Sequence, residues 1–599
     1  MNIESKYKHQ KPVFFIFFII FTITCLLWVF SGLVGHEPWK PDEAYSFGIV
    51  WHFINGGNWV IPKIADIPFM EKPPFFYIPA SFFARLFHPW LEYHDGARLS
   101  NGFFLLLTLF LLGSSYKEFY LKKWSNSYTP YITVLLFISS FGLIYRVHLL
   151  ITDVALLTGF SLSLYALSLF RKKIVLASFI LGTGVGLGFM SKGILAPGII
   201  GSICLSLLIH QSFRNKRYVK FLFLALLWSM PWLLIWPVEL YNQSEKLFWL
   251  WFWDNNFARF LGTTDLGPQA DKAFYYKILI WYAFPVLPLS LIYLWQSAES
   301  LSCRNRCIVL VFFLSIFIII SDYHKFYTLP VVFVLLIMAY CLSDKGDRFI
   351  IPIHFFAVTL LILSLSSTAR ELYALPMLLP LALMASNYFL NNRLLFDQWL
   401  NKAGILIFST LILFFWLLWI AIIWPQFPYL GAYLQHKQPG FIFVFSYLSF
   451  GIAFSSSLLW LFVIRLNCFV FKPVIIFSYG LTAIWCLLST LLLPYLDFGM
   501  SYKGMLQSMQ QKMPTHYNCI SSYRLVEDYP SLVHYYIGEK MHELTKQGSN
   551  NNCNLLFMDN DDSILLSPGW KKIWSGSRPG DKHLFALYRK EKPDACLKF

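Results

Sequence analysis

Residues 14–34 read FFIFFIIFTITCLLWVFSGLV, a run of 21 residues without a charged side chain. A run of this length crosses the hydrocarbon core of a bilayer as a single helix. The run is longer than the apolar core of a typical signal peptide, and no clear small-x-small cleavage site follows it. The segment before it, MNIESKYKHQK, is basic. These features predict an uncleaved first transmembrane helix whose basic end lies in the cytoplasm.

Similar apolar runs recur along the chain to about position 495. The 599 residues are 57% hydrophobic and only 13% charged, whereas about 25% of the residues of a soluble protein are charged. The composition therefore excludes a soluble globule and predicts an all-α polytopic membrane protein with about 13–15 transmembrane helices. The expected helices are 12–34, 99–115, 130–147, 153–170, 174–190, 194–210, 219–238, 277–296, 306–320, 326–342, 349–366, 371–390, 403–425, 440–465 and 472–495.

The formal net charge of +16 lies mostly in alternate short loops between these helices. This distribution follows the positive-inside rule of membrane proteins, so it does not indicate a nucleic-acid partner. With the N-terminus inside and an odd number of spans, the C-terminal tail is expected outside. Two other long segments, 35–97 and 239–275, are then also outside, and their Trp, Pro and charged residues predict helices that lie along the membrane interface.

The tail changes to a mixed polar composition after residue 496. Strand-like runs such as NCNLLFMD and HLFALYR alternate with a helical pattern around YPSLVHYYIGEKMHEL. We therefore expect a transmembrane domain over 1–496 and a small periplasmic α+β domain over 497–599. Three of the ten cysteines lie in this tail. In an oxidising exterior Cys519 and Cys553 could pair, and composition alone leaves that open.

Charged residues of both signs gather at the expected outer face, whereas the centres of the helices carry almost none. They are Asp42, Glu43, Glu71, Lys72, Arg146, Asp153, Lys192, Arg259, Lys325, Arg370 and Glu371. Charges at a membrane face are costly and usually functional. Lysine and arginine bind phosphate oxygens, and carboxylates act as bases or metal ligands. The pattern suits an interfacial active site for an anionic, lipid-attached substrate.

Most of these residues also have a simpler interpretation. Asp42, Glu43 and Asp153 stand at expected helix starts, where an acidic residue often only caps the helix. Lys72, Lys192 and Arg259 could be solvated or anchored at the headgroups. Arg370 and Glu371 could form a local ion pair of little consequence.

Two segments resemble each other, SDYHKFYTLP at 321–330 and STARELYALP at 367–376. Both place a basic residue and Tyr-x-Leu-Pro at the start of a helix. A duplicated hairpin would explain the similarity, and so would the preference of proline for the first turn of a helix.

The run PDEAYSFG…GGNWVIPKIADIPFMEKPPFFY…HDGARLSNG resembles the first outer loop of the C-type membrane glycosyltransferases. These include the protein O-mannosyltransferases and, with a closer resemblance, the bacterial lipid A aminoarabinose transferases. The resemblance continues through ITDVALL, GTGVGLGFMSKG, NNFARF and ARELYALPMLLPLAL, and so covers about the first 390 residues. It implies a polyprenyl-phosphate sugar donor and inverting transfer at the periplasmic face.

Carried over position by position, the resemblance gives roles to individual residues. It implies catalytic acids at Asp42, with Glu43 beside it, and at Asp153. Lys72, together with Arg259 or Arg370 and with Tyr373, would neutralise the phosphate as it leaves. Of the two Tyr-x-Leu-Pro copies, the second fits the family position better, which favours Arg370 and Tyr373.

Further correspondences concern a metal and a disulfide. Glu71 matches a position linked to a metal in the aminoarabinose transferases, and in the tail the resemblance favours a Cys519–Cys553 disulfide. The chain departs from the family where Tyr45 replaces an arginine and Asn256 replaces a histidine. Asparagine is a poor zinc ligand, so no cofactor is required, although the resemblance leaves room for a divalent metal.

The sequence therefore predicts an inverting glycosyltransferase in a bacterial inner membrane. Its expected partners are a polyprenyl-phosphate sugar, the surrounding lipids and an envelope acceptor, either lipid A or a related glycolipid. The alternatives are a protein O-glycosyltransferase and, from another class, a flippase for lipid-linked sugars. A flippase is disfavoured because the helix interiors lack the ionisable relays that transport often uses. The identity of the sugar is left open.

Overall fold

The chain folds into a long helical bundle followed by a small sheet, as seen in a computed structural model. The structure describes residues 11–120, 128–264, 266–268, 273–297, 332, 335, 336, 339, 346–391, 395–466, 471–526, 528–544, 553–560, 562, 566, 569–581 and 583–591. The helix expected over 306–320 and the first Tyr-x-Leu-Pro copy lie outside the described residues. Of the helix expected over 326–342, only residues 332, 335, 336 and 339 are described, and they are helical.

The helices are numbered in chain order. They are α1 Lys11–Phe30, α2 Asp42–Ile54, α3 Tyr77–Phe87, α4 Tyr93–Tyr120, α5 Thr129–Ile138, α6 Asp153–Leu169, α7 Ile174–Lys192, α8 Leu195–Ser206, α9 Lys216–Gln243, α10 Glu245–Trp249, α11 Phe274–Tyr282, α12 Val286–Ser297, α13 Asp347–Leu365, α14 Leu378–Asn391, α15 Leu395–Ile423, α16 Leu430–Lys437, α17 Tyr447–Arg465, α18 Lys472–Thr490, α19 Leu493–Met500, α20 Lys503–Gln510 and α21 Asp528–Tyr536. A π-helical stretch, Leu250–Ala258, follows α10, and a 3₁₀ stretch, Glu371–Met377, precedes α14.

Within the described ranges, nine helical segments are long and apolar enough to cross a membrane. A bent pair, α11 and α12, adds a tenth span if it is counted as one, and shorter apolar helices lie at Thr129–Ile138, Asp153–Leu169 and Leu195–Ile209. This confirms the predicted all-α polytopic membrane fold.

Several helices differ from their predicted bounds. The helix expected over 99–115 runs over Tyr93–Tyr120, the one expected over 277–296 is divided between α11 and α12, and the one expected over 440–465 begins at Tyr447. Two further differences have a local cause. A helix was expected over 130–147, but α5 ends at Ile138 and only a short 3₁₀ turn forms at Arg146–His148. Ser139, Ser140 and Gly142 follow α5, and these residue types are weak helix formers. Helix α9 was expected to end at 238 but continues to Gln243, because helical propensity does not stop where the apolar run stops.

Helices α6 and α7 pack against each other as an antiparallel pair. They pack closely through small residues, since a Cβ on Gly184 would lie 2.7 Å from the carbonyl oxygen of Gly159. Close approach through glycine is typical of membrane helices. Because α6 begins at Asp153 and α7 ends at Lys192, both residues lie at the same end of the bundle, called here the site end.

Basic residues gather at the opposite end of the same pair. Arg171 binds Asp347 through two nitrogen atoms, and Lys172 Nζ lies 2.7 Å from Glu118. The sequence predicted that the basic loops lie at one end of the helices and the residues of mixed charge at the other, and α6 and α7 have this arrangement. The side of the membrane that each end faces stays a prediction.

The segment between α1 and α4 carries α2, α3 and a small antiparallel hairpin. The strands of this hairpin are β1 Lys63–Ile64 and β2 Ile67–Pro68. The loop 35–97 therefore contains helices, as expected, and their position along the membrane interface stays a prediction.

The tail forms a five-stranded sheet with the order β4-β3-β5-β7-β6. Its strands are β3 Ile520–Tyr523, β4 Met541–Glu543, β5 Leu555–Asp559, β6 Trp570–Gly576 and β7 Phe585–Lys590. Strand β3 is parallel to β4 and β5, whereas β7 is antiparallel to β5 and β6. Cys519 and Cys553 form a disulfide at the starts of β3 and β5. The sheet and α21 agree with the expected α+β content, while the boundary at 496 stays a prediction.

The tail packs on the first outer loop. Ser531 Oγ of α21 donates to the Ala44 carbonyl of α2 at 2.7 Å. Lys503 Nζ lies 2.6 Å from Glu37, and Trp39 Nε1 donates to Asp497 at 2.8 Å. The segment that carries Asp42 is therefore held between the helical bundle and the tail.

Candidate functional site

A cavity of about 300 Å³ opens at the site end of the bundle. Its lining includes four cationic side chains, Lys72, Lys192, Arg259 and Arg370. Glu71 and Tyr373 also line it. Five of the predicted site residues, from three separate segments of the chain, therefore line one cavity: Glu71, Lys72, Arg259, Arg370 and Tyr373.

One wall of the cavity is apolar. It is formed by Ile194, Leu195, Phe257, Phe260 and Ile362. Leu195, Gly198 and Ser202 follow one face of α8 at spacings of three and four residues. At 1.5 Å per residue this face extends the wall by about 10 Å along the helix. The cavity thus has a cationic part, lined by Lys72, Lys192, Arg259 and Arg370, and an apolar groove that continues along α8.

Asp42 lies behind the cationic lining, on the first turn of α2. Its Oδ1 accepts hydrogen bonds from Arg370 Nη1 at 2.9 Å and from the Tyr45 hydroxyl at 2.6 Å. Burial raises the pKa of this carboxyl, but Lys72 and Arg370 outweigh burial and lower the pKa to about 2. Asp42 is thus a firmly ionised carboxylate held by side chains, not merely a helix cap.

Lys72 is held by the rigid EKPP segment and is 6% exposed. Its Nζ donates to the Tyr45 hydroxyl at 2.6 Å. Burial, and then the like charge of Lys192, lowers the pKa of Lys72 from 10.5 to about 8. The ammonium is therefore charged at neutral pH but close to losing its proton.

Asp153 and Lys192 form a buried ion pair between α6 and α7. Lys192 Nζ lies 2.7 and 2.8 Å from the two carboxylate oxygens. Lys192 also lies over the Tyr373 ring, 4.8 Å from its centroid. The interpretation of Lys192 as a headgroup-seeking side chain is therefore wrong, and this lysine joins Asp153 to the cavity.

Arg370 and Glu371 do not form the local pair that their adjacency suggests. Arg370 pairs with Asp42, while Glu371 pairs with Arg146 at 2.6 Å. Arg370 stands in an extended conformation just before the 3₁₀ stretch. Its side chain and that of Glu371 consequently bind different partners.

Glu43 does not line the cavity. It is 1% exposed and accepts from Arg98 Nε at 2.5 Å and from the backbone N–H groups of Trp39 and Leu150 at 3.0 and 3.1 Å. Burial raises the pKa of Glu43, but Arg98 outweighs burial and the net shift is downward. The structure therefore places Glu43 among structural contacts that tie α2 to the start of α6.

The residues around Glu71 do not fit a zinc ion. Glu71 Oε2 accepts from Arg259 Nη1 at 3.3 Å. At the position of the family histidine, Asn256 Oδ1 accepts from the Ile194 N–H at 3.0 Å and Asn256 Nδ2 donates to the Trp251 carbonyl at 2.7 Å. One carboxylate beside a guanidinium, with an asparagine already engaged, is not a zinc ligand set.

Elsewhere in the described ranges, Cys519, His542 and Cys553 are the one group of potential metal ligands that lie close together. Its two sulfur atoms are joined in the disulfide, so they are not available as thiolates.

The sequence did not predict that Lys192 and Tyr45 belong to the site. Lys192 was recognised as an outer-face charge, but its partner could not be known without the register of α6 against α7. Tyr45 was noted only as a departure from the family. Its position three residues after Asp42 is a signal for contact on a helix.

The chain is similar to known proteins in sequence and in fold. No family model matches the chain. The undecaprenyl phosphate-alpha-4-amino-4-deoxy-L-arabinose arabinosyl transferase of Photorhabdus laumondii is 26% identical over 300 residues, which are 48% of this chain and 51% of the relative. The protein of that name from Yersinia pestis is 28% identical over 288 residues, 45% of this chain and 46% of the relative. The matched regions thus span about half the length of these relatives.

Among solved structures, ArnT from Cupriavidus metallidurans bound to undecaprenyl phosphate superposes with a TM-score of 0.65 at 12% identity, over 95% of this chain and 98% of that chain. Its apo state gives a TM-score of 0.64 at 13% identity, over 95% and 97%. The chain therefore resembles the aminoarabinose transferases in sequence over about half its length and has the C-type membrane glycosyltransferase fold of ArnT.

Proposed function

We propose that this protein is an inverting glycosyltransferase that moves a sugar from a polyprenyl-phosphate donor to an envelope glycolipid such as lipid A. The proposal places the reaction at the periplasmic face of a bacterial inner membrane, with the N-terminus in the cytoplasm and the C-terminal tail in the periplasm. The observation that carries it is the cavity in which four cations stand beside an apolar groove.

This cavity matches the two parts of a polyprenyl phosphate. The phosphate requires several N–H donors and positive charge, which Lys72, Arg259 and Arg370 offer. The prenyl chain requires an apolar path, which the face of α8 offers. The relatives are named for an undecaprenyl phosphate donor, which supports the same substrate class for this chain.

The cations would also promote the reaction. As the acceptor oxygen attacks the anomeric carbon, the bond from that carbon to the phosphate oxygen breaks, and its electron pair stays on the departing polyprenyl phosphate. Preorganised cations stabilise the charge that develops there. A single displacement of this kind inverts the anomeric carbon.

The state of Asp42 favours an acceptor that is already anionic. A carboxylate with a pKa of about 2 is a weak base, whereas an efficient general base has a pKa near the working pH. A phosphate on a glycolipid needs no deprotonation before attack. Asp42 and Asp153 would then orient the sugar and the cations around it.

The test uses the purified protein in lipid vesicles. Undecaprenyl-phosphate sugars, starting with aminoarabinose, are supplied together with lipid A, and mass spectrometry measures the transferred sugar. Mass spectra of lipid A from a wild-type and a deletion strain provide the cellular counterpart. Transfer to lipid A supports the proposal.

Two other outcomes would each replace the proposed function. Unchanged lipid A with a glycoproteomic shift indicates a protein O-glycosyltransferase. Movement of a labelled lipid across vesicles without any sugar transfer indicates a flippase. A sugar on a serine or threonine hydroxyl would also overturn the argument from the low basicity of Asp42.

A further inference from the structure

The hydroxyl of Tyr45 stands between a carboxylate and an ammonium. It donates to Asp42 Oδ1 and accepts from Lys72 Nζ, each at 2.6 Å. The ring is 7% exposed and stacks on Phe69 with centroids 5.2 Å apart. A buried and stacked ring fixes the hydroxyl in space, so this oxygen has one defined position.

The phenol keeps its proton in this place. Burial, and then the charge of Asp42, raises the pKa of Tyr45 well above its ordinary value. The O–H therefore donates to the carboxylate, and its lone pairs accept from the ammonium. The family position holds an arginine, which is always charged and accepts no hydrogen bond, so the contact with Lys72 is a property of this chain.

The neutral phenol of Tyr45 separates the ammonium of Lys72 from the carboxylate of Asp42. An ammonium has three N–H donors, and in the described part of the chain the Nζ of Lys72 donates one of them, to Tyr45. A lysine paired directly with Asp42 would have its charge largely neutralised by the carboxylate, and would attract a phosphate less strongly. With the phenol between them, the ammonium can face both the cavity and Tyr45.

We propose that Tyr45 is a positioning residue for sugar transfer, which sets the carboxylate of Asp42 and the ammonium of Lys72 at fixed places on the two sides of the bond that breaks. This inference rests on the proposed function. It adds a residue that the resemblance to the family does not supply.

The test variant is Tyr45→Phe, which removes one oxygen atom and keeps the stacked ring. We expect kcat to fall about 10- to 100-fold, the range given by one lost hydrogen bond to a charged group. Binding of undecaprenyl phosphate itself, without a sugar, should weaken by less than about threefold, because all four cations of the cavity remain. A residue with only a structural role would change both quantities together with the melting temperature.

The pH profile supplies a second readout. Asp42 is faced by a set of cations, Lys72, Lys192 and Arg370, and by other titratable groups, Tyr45, Tyr77, Tyr145 and Asp528. The hydrogen bond from Tyr45 helps to keep the pKa of Asp42 low. Its loss in Tyr45→Phe should move the acid limb of kcat/KM to higher pH, which a purely structural defect would not do.

The matched control is Tyr479→Phe. Tyr479 is a buried residue of α18 whose hydroxyl donates to the Ser456 carbonyl at 2.8 Å, and it does not line the cavity. This variant should keep the wild-type kcat and acid limb. Equal kcat values for Tyr45→Phe and wild type, or an unmoved acid limb, would overturn the role of Tyr45 alone. A wild-type protein that transfers none of the undecaprenyl-phosphate sugars would overturn the proposed function together with this inference.

Discussion

Lys192 at the end of α7 holds both carboxylate oxygens of Asp153 at the start of α6, at 2.7 and 2.8 Å, across 39 residues of sequence. The side chains are 8% and 2% exposed. The pair is thus a buried contact between two helix ends, and its cation also lines the cavity. A single residue therefore links the stability of the bundle to the charge of the site.

Removing one partner of this pair should be costly. In Lys192→Met the Asp153 carboxylate is left buried without its cation, and we expect a loss of about 3–5 kcal/mol in the free energy of unfolding. The double variant Asp153→Asn, Lys192→Met should recover most of this loss, yet bind undecaprenyl phosphate more weakly than the wild type. Unfolding in detergent and a binding titration measure the two effects. A single variant as stable as the wild type would contradict the buried pairing.

Lys72 should set the alkaline limb of activity. Its pKa in the folded protein is lowered to about 8, so the charge that binds phosphate is present below that pH and is lost as the pH rises through it. Since kcat/KM reports the free enzyme, its profile should fall with a midpoint near pH 8. The stability of the fold changes with pH in the opposite direction. Because the pKa of Lys72 is lower in the folded than in the unfolded chain, the free energy of unfolding should rise as the pH increases from about 8 to 10.5.

The variant Lys72→Arg tests this assignment. A guanidinium stays protonated at any accessible pH, so the limb near pH 8 should disappear even if the rate is lower. If kcat/KM of Lys72→Arg still falls near pH 8, the alkaline limb is set by a group other than Lys72.

The sequence predicted the membrane fold and singled out the charged residues of the cavity lining, because apolar runs and outer-face charges are local signals. It could not separate Asp42 from Glu43. Adjacent residues of a helix point about 100° apart, and here one carboxylate faces Arg370 whereas the other faces Arg98. Which acid faces the site depends on the rotation of α2 against α4, and that rotation is set by tertiary packing.

These two acids should therefore respond differently to substitution. Asp42→Asn should lower kcat about 10- to 100-fold with little change in the melting temperature. Residual activity is expected because an anionic acceptor needs no base. Glu43→Gln leaves the buried Arg98 with Asp95 as its remaining carboxylate, so we expect a loss of about 1–3 kcal/mol in the free energy of unfolding. Full activity of Asp42→Asn would exclude a catalytic role, and a stable but inactive Glu43→Gln would restore the role that the resemblance implied for Glu43.

Chelation should not change the activity. Glu71 is paired with Arg259, and the amide of Asn256 is occupied by the backbone of Ile194 and Trp251. Treatment with a chelator, followed by zinc or magnesium, should leave the rate within about twofold of the starting value. The parallel variant Asn256→Ala should lower the melting temperature, since it removes one hydrogen bond to Ile194 in the turn after Lys192 and one to Trp251 in the π-helical stretch. A rate that falls with the chelator and recovers with one metal would show that a metal is required.

The apolar groove along α8 predicts a dependence on the length of the prenyl chain. A Cβ on Gly198 meets no atom within 4 Å, so Gly198→Leu should fold normally while its side chain projects into the groove. We expect KM for an undecaprenyl-phosphate donor to rise about 10-fold or more, and a donor with a short prenyl chain to be affected much less. Gly201→Leu is the matched control, because Gly201 also has open space at its Cβ and does not line the cavity. If long and short donors lose the same factor in Gly198→Leu, or if Gly201→Leu shows the same loss, the prenyl chain does not follow this face of α8.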